Sequence, residues 1–599
     1  MYLRRHRRRA AGESYEYWTL CESVRTGRGP RQRIVASLGK LDVQEAEAGW
    51  EQIEELLEGR PVSRQMEFGQ SVSREGSGVR WEMVDVSSVR VERAREFGEV
   101  YLALALWRRL RLHELLEGLI ESGRESVGWE KLISILVAAR FCAQCSELSI
   151  AEGWYERTAL EDLLGVEAGR VNADRLYRGL DVLGAHKERL CAHLMERYRD
   201  WFGVRFEFLI YDVTSTFFEG QALSNAKAAR GYSRDGRPDC KQVCIGLVCT
   251  PEGLPLSYEI FGGNRADVTT VEEIVSMMEQ KYGQAERVWV MDRGMVSEAN
   301  IAFLRSRKAR YLVGTPKSQL RHFEAQMLQK EGWVDVQEGL EVRLVEHPDG
   351  LGEEQYVLCR STARAQKERA MLQRQSEALT EKLASLDRAL RRTPQQDHEA
   401  VGRRIGRAMG AHPAAARIIE ARVLDDDHGC ACALQIFSRW ETGSRTVRSH
   451  GAYLLRTNCT ERDPTQLWRW YIQLTQAEAA FRTAKSDLGL RPVFHQKTGR
   501  VEAHILVCFL ALALWRTLEM WMAQKGLGTC ARKLIAEIAT LRSMDVVLPI
   551  RRDGQRAEIR LRLVAKPEPR VAQLLAHLGL QLPSRSKIIE NVVQKISPN

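Results

Sequence analysis

A chain of 599 residues exceeds what one compact core accommodates, so several domains are expected. With 89 Lys and Arg against 79 Asp and Glu, the formal charge is +10 and the pI about 9.0, which suits a polyanionic partner. Thirteen scattered cysteines, an odd number, argue against a disulfide framework and for a reducing compartment. The basic start, MYLRRHRRRAAGESYEYW, has no apolar stretch behind it to serve as a signal peptide. Apolar runs such as Ile505 to Trp515 fall short of the roughly 20 residues a bilayer needs, so a cytoplasmic protein with no membrane partner is expected.

Residues 1–90 alternate apolar and polar positions between Gly-containing turns and read as a β-rich module. Its basic arm, Arg4 to Arg9, is either a phosphate-backbone contact or a solvated tail. Residues 91–200 turn helical: Leu102, Leu104, Leu106, Leu110 and Leu115, then Leu132, Ile135 and Leu136, form amphipathic stripes, and Thr158 to Leu164 reads as a helix stopped by Gly165. With Arg170, Arg175 and Arg178 near its end, this region is a candidate for binding DNA ends, with plain helical packing as the alternative. Cys142 and Cys145 form a CxxC with no second pair at zinc spacing, so they read as structural helix cysteines.

Residues 201–320 allow a strand order to be written. Phe206 to Thr214, Lys241 to Thr250 and Leu254 to Phe261 are strands, with a hairpin turn at 251–253. A helix over 267–282, a strand ending in Asp292, a helix capped by Ser297 and a strand from Arg310 to Thr315 follow. Three strands, helix, strand, helix, strand is the order of an RNase H-like α/β core. Gly262, Gly263 and Asn264 read as a turn rather than a phosphate cradle. Residues 321–450 are expected to be an α+β insertion: Leu372, Leu379, Leu383, Leu386 and Leu390 mark a long heptad-like helix, strand patterns lie near Arg417 to Leu424 and Cys432 to Phe437, and Asp425 to Asp427 reads as a solvated turn. Residues 451–545 resume the core. The tail, 546–599, alternates Ile559, Leu561 and Leu563, carries a short helix after Pro569 and is a candidate dimerisation segment.

Three acids carry the chemistry. Asp212 ends FEFLIYD, Asp292 ends RVWVMD, and Glu478 lies in the helical stretch YIQLTQAEAAFRTAKSDLGLRP, 186 positions beyond Asp292. Carboxylates at the ends of neighbouring strands, joined by one from a packed helix, can hold two divalent ions over a phosphodiester. On one helix, Tyr471, Leu474, Glu478, Arg482 and Lys485 recur at spacings of 3, 4, 4 and 3 and form one stripe, with cations one and two turns beyond the acid to hold phosphates. Trp468 and Trp470 pack in the core or stack on an unpaired base; His495 and His504 read as hydrogen-bonded structural residues.

The chain resembles the DDE transposases of bacterial insertion sequences, in the family numbered four, whose mark around the last acid is Tyr-(2)-Arg-(3)-Glu-(6)-Lys. Tyr471, Glu478 and Lys485 match it, and YDVTSTFFEG, GYSRDGRPDCKQVCIGLV, IFGGN and MDRGMVSEANI are similar to that family's core over about 200–515. Leu474 stands where the signature has Arg, and Arg482 or Arg469 is the nearby substitute. The resemblance implies an enzyme that binds the terminal inverted repeats of its element, cleaves the ends and joins the 3′ ends to target DNA. It implies Asp212, Asp292 and Glu478 as catalytic and metal-binding, two Mg²⁺ ions with Mn²⁺ as a substitute, Tyr471, Arg482, Lys485 and Arg293 as DNA contacts, and a homodimer at synapsis. The alternatives are a catalytically inactive transposase-derived DNA-binding protein and a structure-selective nuclease on the same fold.

Overall fold

The computed structural model describes the chain except residues 1, 11–12, 27–28, 40–81, 122, 124, 284–286, 351–353, 394–396, 427–429, 439–448, 553–554, 584–586 and 594–599. It divides into two compact units, 1–82 and 83–599. In the first, β1 (Tyr2–Ala10), β2 (Glu13–Thr26) and β3 (Gly29–Gly39) pair antiparallel in the order β1-β2-β3. Arg4 to Arg9 therefore belong to a paired strand, Arg4 opposite Thr19 and Arg9 opposite Ser14, and not to a tail. The rest of the expected β-rich module, 40–81, lies outside the described residues, as does Asp427 of the expected turn.

The second unit opens with β4 (Arg90–Glu96), an element without a sequence signal, then helices α1 (Gly98–Arg109), α2 (Trp129–Cys142), α3 (Ala173–Leu183) and α4 (Lys187–Phe202). The leucine stripes bury: Leu102, Leu106, Leu110, Leu132 and Ile135 are all at most 1% exposed. Gly165 ends the short helix Leu160–Leu164 in the left-handed region, at φ 65°, where a side chain is disfavoured.

Then come β5 (Phe208–Phe217), β6 (Gln242–Cys249), β7 (Pro255–Gly262), α5 (Val271–Tyr282), β8 (Val288–Met291), α6 (Glu298–Ser306) and β9 (Arg310–Gly314). Ser297 caps α6, its hydroxyl accepting from the Asn300 amide at 3.1 Å. Gly263 has no room for a Cβ, which would strike the Gln242 and Ala229 carbonyls, so this glycine serves close backbone approach. Further on lie β10 (Val334–Gln337), β11 (Leu340–Glu346), β12 (Gln355–Ser361), α7 (Thr362–Arg392), α8 (His398–Ala411), β13 (Ile419–Asp425), β14 (Ala431–Ser438), β15 (Ala452–Thr457), α9 (Pro464–Ile472), α10 (Leu474–Ser486) and α11 (Thr498–Gln524).

Among the described residues the large sheet has nine strands in the order β10-β11-β12-β15-β9-β8-β5-β6-β7. The β5–β8 and β8–β9 pairs are parallel and the other neighbours antiparallel. β6 and β8 are buried along their whole length, which is why they read as continuous apolar runs. Strands β10 to β12, from the stretch between the second and third acids, extend this same sheet through β15.

The five leucines of α7 are buried against α8, β13 and β14, beside Val401, Ile405, Ile419 and Leu434. The heptad-like stripe is thus covered inside the chain and is not left for a partner. Helix α11 is, by length and composition, long and apolar enough to cross a membrane, which corrects the reading of 505–515 as too short; 89% of its apolar window is buried inside the protein, the position of a core helix. The tail forms β16 (Arg542–Arg552), β17 (Gln555–Val564) and β18 (Lys587–Val593), paired in the order β18-β17-β16-β4. A buried ion network ties this sheet together: Asp545 accepts from Arg562 at 2.7 Å and from Arg95 at 3.2 Å.

Candidate active site

The parallel register of β5 and β8 sets Tyr211 beside Met291, so Asp212 on β5 and Asp292, just past the end of β8, each follow a member of the last paired residues. The apolar runs before them, Leu209 to Tyr211 and Val288 to Met291, are buried and hold both backbones in place. Asp212 remains within β5 and is half-buried, its Oδ1 accepting from the Val213 amide at 2.8 Å. Asp292 leaves β8 exposed, as the residue before a 3₁₀ turn, Arg293–Met295. Burial, with the charges of Asp292 and Glu478, pushes the Asp212 carboxyl up to about 7 against the opposing Val213 amide and Arg234. The three acids therefore share one electrostatic neighbourhood.

The expected continuous stripe is interrupted. Gln473 separates α9 from α10, so Tyr471 closes one helix and Glu478 rides on the next. Helix α10 buries Leu474, Ala477, Ala480, Phe481 and Ala484; the small alanines let it sit close on the sheet while Glu478 and Arg482 stay exposed. The Tyr471 hydroxyl donates to Asp292 Oδ1 at 3.3 Å, and burial together with the Asp292 charge raises its pKa. Gly314, at the end of β9, makes room for that hydroxyl, which a Cβ there would strike. Leu474, 8% exposed, packs with Ile210, Val288, Val290 and Leu312, so the position of the signature Arg is a core position here.

Lys485 does not face solvent. Its side chain is 10% exposed and its ammonium pairs with Asp235 at 2.8 Å; burial lowers its pKa and Asp235 partly restores it. Arg293 is exposed beside Asp292. Trp468 donates to the Tyr453 hydroxyl at 2.7 Å and Trp470 packs on Phe208, with ring centroids 4.5 Å apart. His495 lies 3.4 Å from Glu147, and His504 is buried next to Arg140. Several polar residues near the site carried no individual signal in the sequence. Arg234 pairs with Asp267, Asp235 receives Lys485 and Arg491, and Arg516 donates to Gln476 on α10 at 2.5 Å and to the Gly253 carbonyl at 3.0 Å. For Arg234 and Asp235 the one local signal was the charge density of GYSRDGRPDC; that Asp235 meets Lys485 and Arg491 depends on a pairing across some 250 residues.

In kind, three carboxylates suit a hard divalent cation. In spacing, no group of three or more His, Cys, Asp or Glu among the described residues is set to hold a metal ion, Cys142 and Cys145 included. Asp292 and Glu478 are exposed side chains on rotatable bonds, and Asp212 has its pKa raised by burial first and by the charges of Asp292 and Glu478 after it.

The family model for the transposase DDE domain matches residues 205–514, more than half of the chain. The chain belongs to the DDE transposases. Residues 3–67 of this transposase match the N-terminal domain of the IS1634 family transposases, which places it among those of bacterial insertion sequences. DDE transposase domains generally use divalent metal ions. No curated protein matches the chain. A cryo-EM structure of piggyBac transposase, in a synaptic complex with hairpin DNA, is similar at 9% identity and a TM-score of 0.35, covering 73% of this transposase and 79% of that chain.

Proposed function

We propose that this transposase binds the terminal inverted repeats of its element, cleaves the ends and joins the 3′ ends to target DNA, with Asp212, Asp292 and Glu478 as the catalytic acids. The observation that carries the reading is the β5–β8 register, which pairs Tyr211 with Met291 and so brings the next residues, Asp212 and Asp292, to the same end of the sheet, with Glu478 close enough to help raise the Asp212 pKa. The order β7-β6-β5-β8-β9 supports an RNase H-like core, and in this reading the residues between β9 and β15 are an insertion that widens its sheet.

In this reading Asp212, Asp292 and Glu478 hold two Mg²⁺ ions, with Mn²⁺ as a substitute. Bound there, divalent ions activate a water or 3′-hydroxyl and stabilise the leaving oxygen. Tyr471 orients Asp292 through its hydroxyl. Arg482, one turn beyond Glu478, and Arg293 are the exposed cations placed to meet phosphates. The helical region of 91–200 is the proposed end-binding segment, and synapsis of two ends calls for a homodimer.

The test is Asp212→Ala, Asp292→Ala and Glu478→Ala on a labelled terminal repeat with Mg²⁺. Each should lose cleavage and strand transfer while end binding stays near wild type, since most of the affinity comes from phosphate contacts elsewhere. Substantial cleavage by any one variant removes that residue from the site.

A further inference from the structure

We infer that Asp235 is a positioning residue of this centre: the buried anion that anchors the C-terminal half of α10 and thereby sets where Glu478 stands. The inference rests on the reading of Asp212, Asp292 and Glu478 as the catalytic acids. Asp235 lies in the segment between β5 and β6, and its side chain is 3% exposed. Its Oδ1 accepts from Lys485 at 2.8 Å and from Arg491, while its Oδ2 is buried without a hydrogen-bond partner among the described residues. A carboxylate is buried at this depth only when cations meet it. Both cations come from the chain just beyond Glu478.

Lys485 stands two helical turns past Glu478 on the same face, about 10 Å along the axis. A helix pinned there cannot slide or roll without moving Glu478. Toward its other end, α10 is held by Arg516 through Gln476. The segment bearing Asp235 is itself fastened. Gln242 donates to the Tyr232 carbonyl at 3.1 Å, and the Ser233 hydroxyl accepts from the Arg237 amide at 2.9 Å. The preceding residue, Arg234, pairs with Asp267, whose Oδ2 is within 3.7 Å of where a Cβ on Gly294 would stand, two residues after Asp292. Consecutive residues are thus linked, Arg234 through Asp267 to the turn that follows the second acid, and Asp235 through Lys485 to the helix that carries the third. Lys485, satisfied internally, is a strut of this arrangement rather than a phosphate contact.

The experiment uses the full chain and three measurements: cleavage of a saturating labelled repeat, the salt dependence of end binding, and Mn²⁺ binding without DNA, followed by electron paramagnetic resonance. Glu478→Ala serves as reference. Asp235→Asn keeps the volume and removes the charge. It should slow cleavage by on the order of a hundredfold, the scale of an ångström misplacement, and weaken Mn²⁺ binding severalfold, with the salt slope of end binding unchanged. Lys485→Met should behave alike, and Asp235→Glu should recover part of both losses. Should Asp235→Asn not fold, Asp235→Asn combined with Lys485→Met removes both charges together and carries the same expectations. Wild-type cleavage and Mn²⁺ binding in Asp235→Asn overturn the proposal. So does a salt slope lowered by about one unit in Lys485→Met with Mn²⁺ binding intact, the signature of a lost phosphate contact. If Glu478→Ala weakens Mn²⁺ binding and Asp235→Asn does not, the anchor alone falls. If Glu478→Ala leaves Mn²⁺ binding as in wild type, the reading of the acids falls and the anchor with it.

Discussion

At residue 474 the chain departs from the family signature, and the surroundings of Leu474 explain what the departure does. Leu474 belongs to the buried apolar cluster that includes Ile210, Val288, Val290 and Leu312, at the start of α10 and next to the break at Gln473. An Arg placed there would carry its charge into an apolar cluster directly beneath the strands that bear Asp212 and Asp292. Leu474→Arg should therefore lower stability by about 3–5 kcal/mol, the cost of an uncompensated buried charge, and should not improve strand transfer. Urea unfolding of the variant beside the wild type measures this; stability within 1 kcal/mol or so of wild type would show that the arginine reaches solvent. Arg482, exposed one turn beyond Glu478, remains the better candidate for holding a DNA end.

At the scale of elements, α7 shows what a periodic pattern states and what it leaves open. The leucines at 372, 379, 383, 386 and 390 do form one buried stripe on a helix of 31 residues. Periodicity states which face is apolar; it is silent on whether that face meets another copy or the same chain. Here α8, β13 and β14 fold back on it. Leu383→Ala should accordingly cost about 2–5 kcal/mol, as for other buried leucines, without changing the oligomeric state. Unfolding and sedimentation on one preparation separate the two effects, and a shift toward monomer at unchanged stability would assign the stripe to an interface. Helix α11 teaches a related lesson: apolar on all sides, it could be taken for a membrane span, yet its burial among the other helices and the sheet accounts for its composition.

Across the second unit, the tail is bound to the start of the same unit by Asp545, which is fully buried between Arg95 and Arg562. Burial pulls its carboxyl upward, but the Arg562 hydrogen bond and the charges of Arg562 and Arg95 together outweigh it and leave its pKa lowered. A depressed carboxyl contributes stability above its unfolded pKa of about 3.9, and that contribution is lost as pH falls through the lower folded value. Asp545→Asn should cost about 3–5 kcal/mol at neutral pH, and the gap between variant and wild type should narrow below about pH 4. Unfolding curves at pH 7 and pH 3 check both statements; a gap that does not change with pH would mean the carboxylate contributes through packing alone.

Local pattern, by itself, determined the strand runs ending in Asp212 and Asp292, the caps at Ser297 and Gly165, the helix that carries Glu478 and the alternation of Ile559, Leu561 and Leu563. Each is written in neighbouring residues, because burial of one face imposes a period on the chain. The tertiary structure alone decided the rest: that β10 to β12 join the sheet of the acids, that β4 pairs with a strand some 450 positions later, that α9 and α10 break at Gln473, and that Lys485 turns inward to Asp235. Strand pairing and ion pairing between distant segments leave no periodic trace, since a strand shows the same alternation whichever neighbour it meets, and a lysine reads alike whether it meets a phosphate or a buried carboxylate.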